Sequence, residues 1–472
     1  MKTKLKETVK QRLESSSLII FPNIVKNDSK ILKIIWLILS FVSAGFCSML
    51  IIKNVNDYLS YQVITKTNVN YETKLKFPVV SICNSFSQEA YDLVELNKSA
   101  IQSLPNFEYN YYTRIYLKYY KNKGINITKM GKSLKETMFR CSFMQHPCNV
   151  SQDFEEYYDM NYGRCFRFNS NKQKYITKNG KFYSLDMDFY IDENYYNTGQ
   201  MDQKGLKIFI SDDPTSSVNQ DSITIPNRFC SNIAMRKTSI TKQRRPYSNC
   251  DGDLTNIDSY GSDVYKIAFE SNQNYNYLSC KNICYQKLLA NQCKCQTAYL
   301  DKAYDQNLRV CYLDLDYLEE DNACETEVWF NFLNNPNDFC DCPIKCDYVD
   351  YSYSISLSDY PTNSYFKSLI SNNPLIKSKY KNQSFDEMRQ SMARINIYYD
   401  QMFQISITEN IKTEVSDLVA NIGGLLGLFL GFSFLSLIEL IELFCKIFTI
   451  IIKKKKNNVI SSSKIDVKPI QF

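Results

Sequence analysis

Cysteines 280, 284, 293, 295, 311, 324, 340, 342 and 346 constrain this chain more than any other feature. Their spacing opens with an i,i+4 pair, tightens to i,i+2, passes two lone cysteines, then closes on i,i+2 and i,i+4. An i,i+4 pair shares one helix face, and an i,i+2 pair shares one face of an extended segment. The near-mirror order suits nested rungs that tie an outgoing segment to a returning one, although spacing alone leaves the pairing open. A zinc site is the competing reading for Cys293-x-Cys295 and Cys340-x-Cys342. It is disfavoured, because one-residue spacers are not zinc spacing and His146 is the only histidine.

The mean hydropathy of -0.35 is that of a soluble protein, but it averages over two apolar segments. Ile34 to Ile52 carries no charge over 19 residues. That is about 28 Å of helix, against a hydrocarbon core of roughly 30 Å. Leu418 to Ile438 is uncharged over 21 residues and continues through Glu439, Glu442 and Lys446. Both are too apolar all round for a helix with a wet face. The first is not read as a cleaved signal, since a long basic stretch precedes it and no small-residue cleavage site follows. Lysines and arginines from Lys2 to Lys30 precede it, and Lys453 to Lys456 follow the second segment. The positive-inside rule then puts both termini in the cytoplasm. The expected organisation is a cytoplasmic tail at 1–30, a transmembrane helix at 31–52, an extracellular domain at 53–417, a pore-lining helix at 418–452 and a second tail at 453–472. The net charge of +6 owes much to the tails, so no nucleic-acid partner is called for.

All of the 17 cysteines except Cys47 and Cys445 fall in the outside stretch, where disulfides persist. The odd number left implies at least one thiol outside an intrachain pair. The sequons at Asn97, Asn126, Asn149 and Asn382 lie outside as well. Alternation marks Lys181 to Tyr190 and Leu206 to Ile210 as strands, and Asp341 to Ser356 as strands leading back to the membrane. Ser133 to Met144 and Cys280 to Gln292 read as helices. The outside region is therefore one disulfide-tied α+β unit. It carries no phosphate loop, no nucleophile elbow and no zinc-protease helix, and no cofactor is expected. His146, between Cys141 and Cys148, reads as a surface residue.

Gly423, Gly427 and Gly431 recur every four residues, with Gly424 adjacent. Such a face lets backbones approach closely, which serves plain helix packing and a narrow pore alike. Glu439 and Glu442 favour the pore. A carboxylate at a helix centre costs about 2.5–3.5 kcal/mol on insertion, so these two should face water or a bundle interior, where a ring of them concentrates cations. One helix cannot enclose a channel, so several chains must.

Three motifs together resemble the degenerin/epithelial sodium channel family, over nearly the whole length. They are Phe77-Pro-Val-Val-Ser-Ile-Cys83-Asn84, the cysteine ladder, and Asn421-Ile-Gly-Gly-Leu-Leu-Gly-Leu-Phe-Leu-Gly431-Phe432-Ser433. The resemblance implies a trimeric, sodium-preferring, often amiloride-sensitive channel in the plasma membrane. Its hand-like ectodomain would combine a β core with a helical thumb and finger. It implies the disulfides Cys83–Cys165, Cys141–Cys148, Cys250–Cys346, Cys280–Cys342, Cys284–Cys340, Cys293–Cys324 and Cys295–Cys311, with Cys230 left over. It makes Gly431, Phe432 and Ser433 the selectivity filter, and Ala420 the site where a bulky group wedges the pore open. Tyr61 and Tyr247 match an aromatic pair at the wrist. The departures are specific. Ile19-Ile20 stands where a His-Gly gating pair is expected, and Gln62 and Val63 replace the histidines of acid-sensing members. Thr326 and Phe330 replace an acidic pair, with Glu325 and Glu327 nearby. With one histidine, proton gating is disfavoured. The Lys-, Asn-, Ile- and Tyr-rich composition is similar to that of cnidarian peptide-gated members. Phe432, bulky where the family has a small residue, points to a heterotrimer with homologous subunits. The alternatives are proton or mechanical gating within the family, an ATP-gated receptor of similar plan, and a non-conducting membrane-tethered receptor.

Overall fold

The computed structural model describes residues 22, 24, 26, 28–84, 124, 132–159, 162–191, 205–212, 222–252, 254–272, 275–297, 305, 307–334, 340–380, 383–431, 433, 436, 438, 439, 441, 442 and 445. The chain forms two compact units, one of Met1–Ile64 with Asn410–Phe472 and the other of Thr65–Glu409.

The first unit holds helix α1, Lys30–Leu59, with a mean hydropathy of 2.3 over its most apolar window. It packs against a shorter apolar helix, Val415–Leu430. Cys47 is the one buried residue of α1, while Ile34, Phe41, Phe46 and Met49 are exposed. So much outward apolar surface calls for lipid or another chain around it. At the far end of α1, Ser60 N–H donates to Asn56 O and Tyr61 turns left-handed at φ 50°. Gln62 is then held twice by Lys412, whose backbone N–H reaches Gln62 O at 3.0 Å and whose Nζ reaches Gln62 Oε1 at 2.5 Å.

The second unit is built on two sheets. Its strands are β1 (Val63–Tyr71), β2 (Val79–Asn84), β3 (Met138–Phe143), β4 (Phe154–Asp159), β5 (Gly163–Phe168), β6 (Leu185–Tyr190), β7 (Leu206–Ser211), β8 (Ile223–Ile225), β9 (Phe229–Thr241), β10 (Asp347–Asp359) and β11 (Met392–Ile411). The larger sheet runs β10-β9-β11-β6-β3 and ends on the two residues His146–Pro147, with β1 also on β11. The smaller runs β8-β7-β2-β5-β4. β9 and β11 pair in parallel, so a long crossover must join them. That crossover contains β10 and two helical excursions. Thr241 and Asp347 are partners where the first excursion leaves and returns.

The core explains these strands. Val80, Phe168, Leu185, Met187, Ile208, Ile233, Ile395 and Ile397 are all buried in one cluster. Phe77, Val79, Val80, Ile82 and Cys83 of the Phe-Pro-Val-Val motif are buried too, so that motif is a central strand with its lead-in. Phe77 packs edge-on against Phe143 with ring centroids 5.0 Å apart. One charged cluster is built into this sheet around a buried carboxylate. Asp188 is 0 % exposed and takes Arg394 in a two-pronged bond of 2.5 and 2.7 Å. Tyr365, on helix Asn363–Asn372, accepts from Arg394 at 2.8 Å and from Arg140 at 3.1 Å.

Three local readings are corrected by the structure. Ser133 to Met144 is not a helix: one turn, Leu134–Thr137, gives way to β3. A capping box of Ser133 and Glu136 starts the turn, and Leu134, Met138 and Cys141 have helical spacing. Pairing of Met138 through Phe143 with β6 overrides that local signal. Lys181–Tyr183 is a 3-10 turn, with strand only from Leu185. Asp341 to Ser356 is a single edge strand, and it starts at Asp347.

Candidate functional site

The second apolar helix, α6 (Val415–Leu430), starts at a capping box of Glu414 and Asp417. Ala420, Asn421, Gly423, Gly424 and Gly427 all lie on it. The sequence reading carried one helix from 418 to 452. The structure starts it at Val415 and stops it at Leu430, where Gly431 takes a left-handed φ of 67° and its N–H donates to Gly427 O at 3.0 Å. Only glycine adopts that conformation cheaply, which is why the stop falls there. Ser433 Oγ then accepts from Ser436 N–H at 3.3 Å, and Ser436 Oγ accepts from Ser433 N–H at 3.2 Å. This reciprocal pair caps a second helical run that includes Ser436, Ile438, Glu439, Ile441, Glu442 and Cys445. Ser433 N–H, which a continuous helix would offer to Phe429 O, is turned to Ser436 Oγ instead. A backbone oxygen released this way can replace water around a cation. Phe432 lies outside the described residues.

An added Cβ at Gly423 or Gly424 would meet nothing within 4 Å, so contact with α1 does not require either glycine. Of the wrist pair, Tyr61 belongs to the first unit, with its ring 6.5 Å from that of Tyr58. Tyr247 belongs to the second, in a turn where its N–H donates to Arg244 O. Asn149 is exposed and caps the short helix Val150–Asp153, while Asn97, Asn126 and Asn382 lie outside the described residues, as do Ile19 and Ile20.

The first excursion carries helices α2 (Asp263–Asn272), α3 (Tyr277–Gln292) and α4 (Leu318–Asn334); α5 is Asn363–Asn372 in the second. Asn276 caps α3 by accepting from Leu278 N–H and Ser279 N–H. Cys280 and Cys284 on α3 join Cys342 and Cys340. Four residues of helix rise about as far as two residues of extended chain, so the two rungs lie in register. Cys293 joins Cys324 on α4, and Cys295 joins Cys311. Cys250–Cys346 closes the base of the excursion, beside the bridge between Asp251 and Lys345. Cys83–Cys165 links directly paired positions of β2 and β5, and Cys141–Cys148 closes the His146 hairpin. Cys230 is buried outside any disulfide, and burial pushes its thiol pKa up.

Glu325 is a titratable group that the sequence named only as a neighbour. Burial raises its pKa, partly offset by hydrogen bonds from Tyr312 and Tyr285, the latter at 3.1 Å. A raised carboxyl pKa means that the folded protein holds the proton better than the unfolded chain. Its stabilising contribution is complete below the ordinary value of 4.5 and is lost as pH rises through the folded value. Glu325→Gln should therefore unfold at a higher temperature than wild type near neutral pH, and the gain should vanish in acid. Melts with no such pH dependence would contradict this.

One unit holds two packed apolar helices, and the other is α+β with seven disulfides among the described residues. The chain belongs to the family described as "Amiloride-sensitive sodium channel", whose profile matches residues 13–443. It is 24% identical to the FMRFamide-activated amiloride-sensitive sodium channel of Cornu aspersum, over 90% of this chain and 80% of that one. It is also 24% identical to the human bile acid-sensitive ion channel, over 89% of this chain and 82% of that one. The bovine epithelial sodium channel subunit gamma matches at 24% over 73% of this chain, which spans about half, 51%, of that longer subunit. These relatives are ion channels, not enzymes. Among solved structures, a proton-activated chloride channel covers 87% of this chain and 97% of its own, at 6% identity and a TM-score of 0.34.

Proposed function

We propose that this chain is one subunit of a trimeric, sodium-preferring channel of the plasma membrane, opened by an extracellular neuropeptide. Both termini are cytoplasmic, residues 31–52 and 418–452 span the bilayer, and residues 53–417 face outward. The observation that carries the reading is the left-handed helix stop at Gly431, followed by a Ser433 N–H turned to Ser436 Oγ, inside an otherwise apolar span. Gly423 and Gly424, open within their own chain, support close packing against neighbouring copies of α6. The FMRFamide-activated relative supports a peptide as the opening ligand. Phe432 in the filter supports a heterotrimer, because one bulky ring is easier to place than three. A second reading is opening by protons, with Glu325, held by Tyr285 at 3.1 Å, as the candidate group.

The test is expression in oocytes, alone and with homologous subunits, with amidated neuropeptides and acid applied in turn. Peptide-evoked sodium current supports the reading, and current evoked by acid alone replaces it with the second. In the conducting channel, Glu439→Gln with Glu442→Gln should lower single-channel conductance, most at low salt where screening is weakest. Unchanged conductance would place both carboxylates away from the ion path.

A further inference from the structure

A cavity of about 560 Å³ opens in the second unit where β3, the turn before β6, and β11 come together. That is within the size range of small-ligand sites. Its walls include Arg140, Gln145, Lys181, Phe182, Asp186 and Arg394. The two arginines are matched by carboxylates: Arg394 by Asp188, and Arg140 by Asp186. Lys181 is exposed and forms no ion pair among the described residues. Its charge acts on Asp186, and the three cations Arg140, Lys181 and Arg394 exceed the two carboxylates Asp186 and Asp188 by one. The cavity also holds one unmatched acceptor. Asp186 Oδ1 is buried with no hydrogen bond from the protein, and Arg394 Nε, 3.8 Å away, is too far to donate.

Two backbone irregularities sit at the same place. The register between β3 and β6 shifts between Met138 and Arg140, a bulge of the kind that re-aims a side chain. Phe143 and His146 are partners across a two-residue turn, and both turn residues are left-handed, Met144 at φ 50° and Gln145 at φ 70°. Such turns ordinarily take Asn-Gly, so two side chains held there are under strain. The Cys141–Cys148 disulfide closes this hairpin and keeps Gln145 at the cavity wall. Phe182, 72% exposed, adds an apolar surface beside it.

We propose that this cavity binds an organic anion. Its acidic head sits at Lys181, an N–H or O–H donates to Asp186 Oδ1, and its apolar part lies on Phe182. The site is independent of whichever ligand opens the channel, so it is tested by binding and not by current.

The full-length channel, purified in detergent, is titrated calorimetrically with three probes. N-acetylphenylalanine carries the carboxylate, the N–H and the ring; N-acetylphenylalaninamide lacks the charge; 3-phenylpropanoate lacks the N–H. N-acetylphenylalanine should bind saturably and on the order of tenfold more tightly than either of the others, as one lost charged hydrogen bond implies. Lys181→Gln, an exposed change that leaves the fold intact, should bring the acid down to the level of the amide. Phe182→Ala should weaken all three probes. No saturable binding, equal binding of acid and amide, or wild-type affinity in Lys181→Gln would overturn the proposal.

Discussion

Asp188→Ala should leave less folded channel at the cell surface, at a cost of about 1–3 kcal/mol, because it deprives a half-buried guanidinium of its main partner. Asp188 is fully enclosed and takes the two shortest bonds of Arg394, whose third goes to Tyr365. Without the carboxylate, the Arg394 guanidinium stays between β6 and β11 with only partial compensation from Asp186, whose Oδ1 is 3.8 Å away. Domains are stable by only about 5–15 kcal/mol, so this loss takes a large share. Surface biotinylation and thermal unfolding of purified protein would measure it. Asp188→Asn, which keeps the shape and one acceptor, should cost less. Wild-type surface levels in Asp188→Ala would show that the cluster contributes no net stability.

Removing both rungs of the ladder, with serine at Cys280, Cys284, Cys340 and Cys342, should cost about 4 kcal/mol by the loop-entropy relation. The loops they close span 62 and 56 residues. Removing one rung should cost far less, since the other still closes nearly the same loop in the unfolded chain. The two changes should therefore be strongly non-additive. Unfolding midpoints of the single-rung, double-rung and unaltered proteins test this directly. Equal steps for the first and second rung would mean that each acts through native packing instead. The Cys141–Cys148 hairpin closes only 7 residues, and its loss should cost about 2 kcal/mol by the same relation.

Much of the site could be read locally. Gly431 marks the end of α6 because a left-handed cap wants glycine, and Ser433-x-x-Ser436 is a start signal for the run that follows. The helix at Tyr277–Gln292 shows itself through Asn276 as cap and the cysteine pair on one face. Other features leave no local trace. Glu325 is an ordinary helical glutamate until Tyr285 and Tyr312 close over it.

The sequence by itself determined the two apolar helices, the cysteine-rich excursion and the α+β character of the rest. Each of these depends on composition or on spacings within a few residues, which act before any distant partner is present. Only the tertiary structure decided that Met138 to Phe143 is a strand, since its partner β6 outweighs helical spacing and a capping box. The same holds for Asp188, whose partner Arg394 lies 206 residues along the chain. The lysine at 181 and the aspartate at 186 become a cavity wall only when β3 and β11 flank β6. A buried charge and a cavity are properties of what surrounds a residue, and in this chain the surroundings come from segments far apart in sequence.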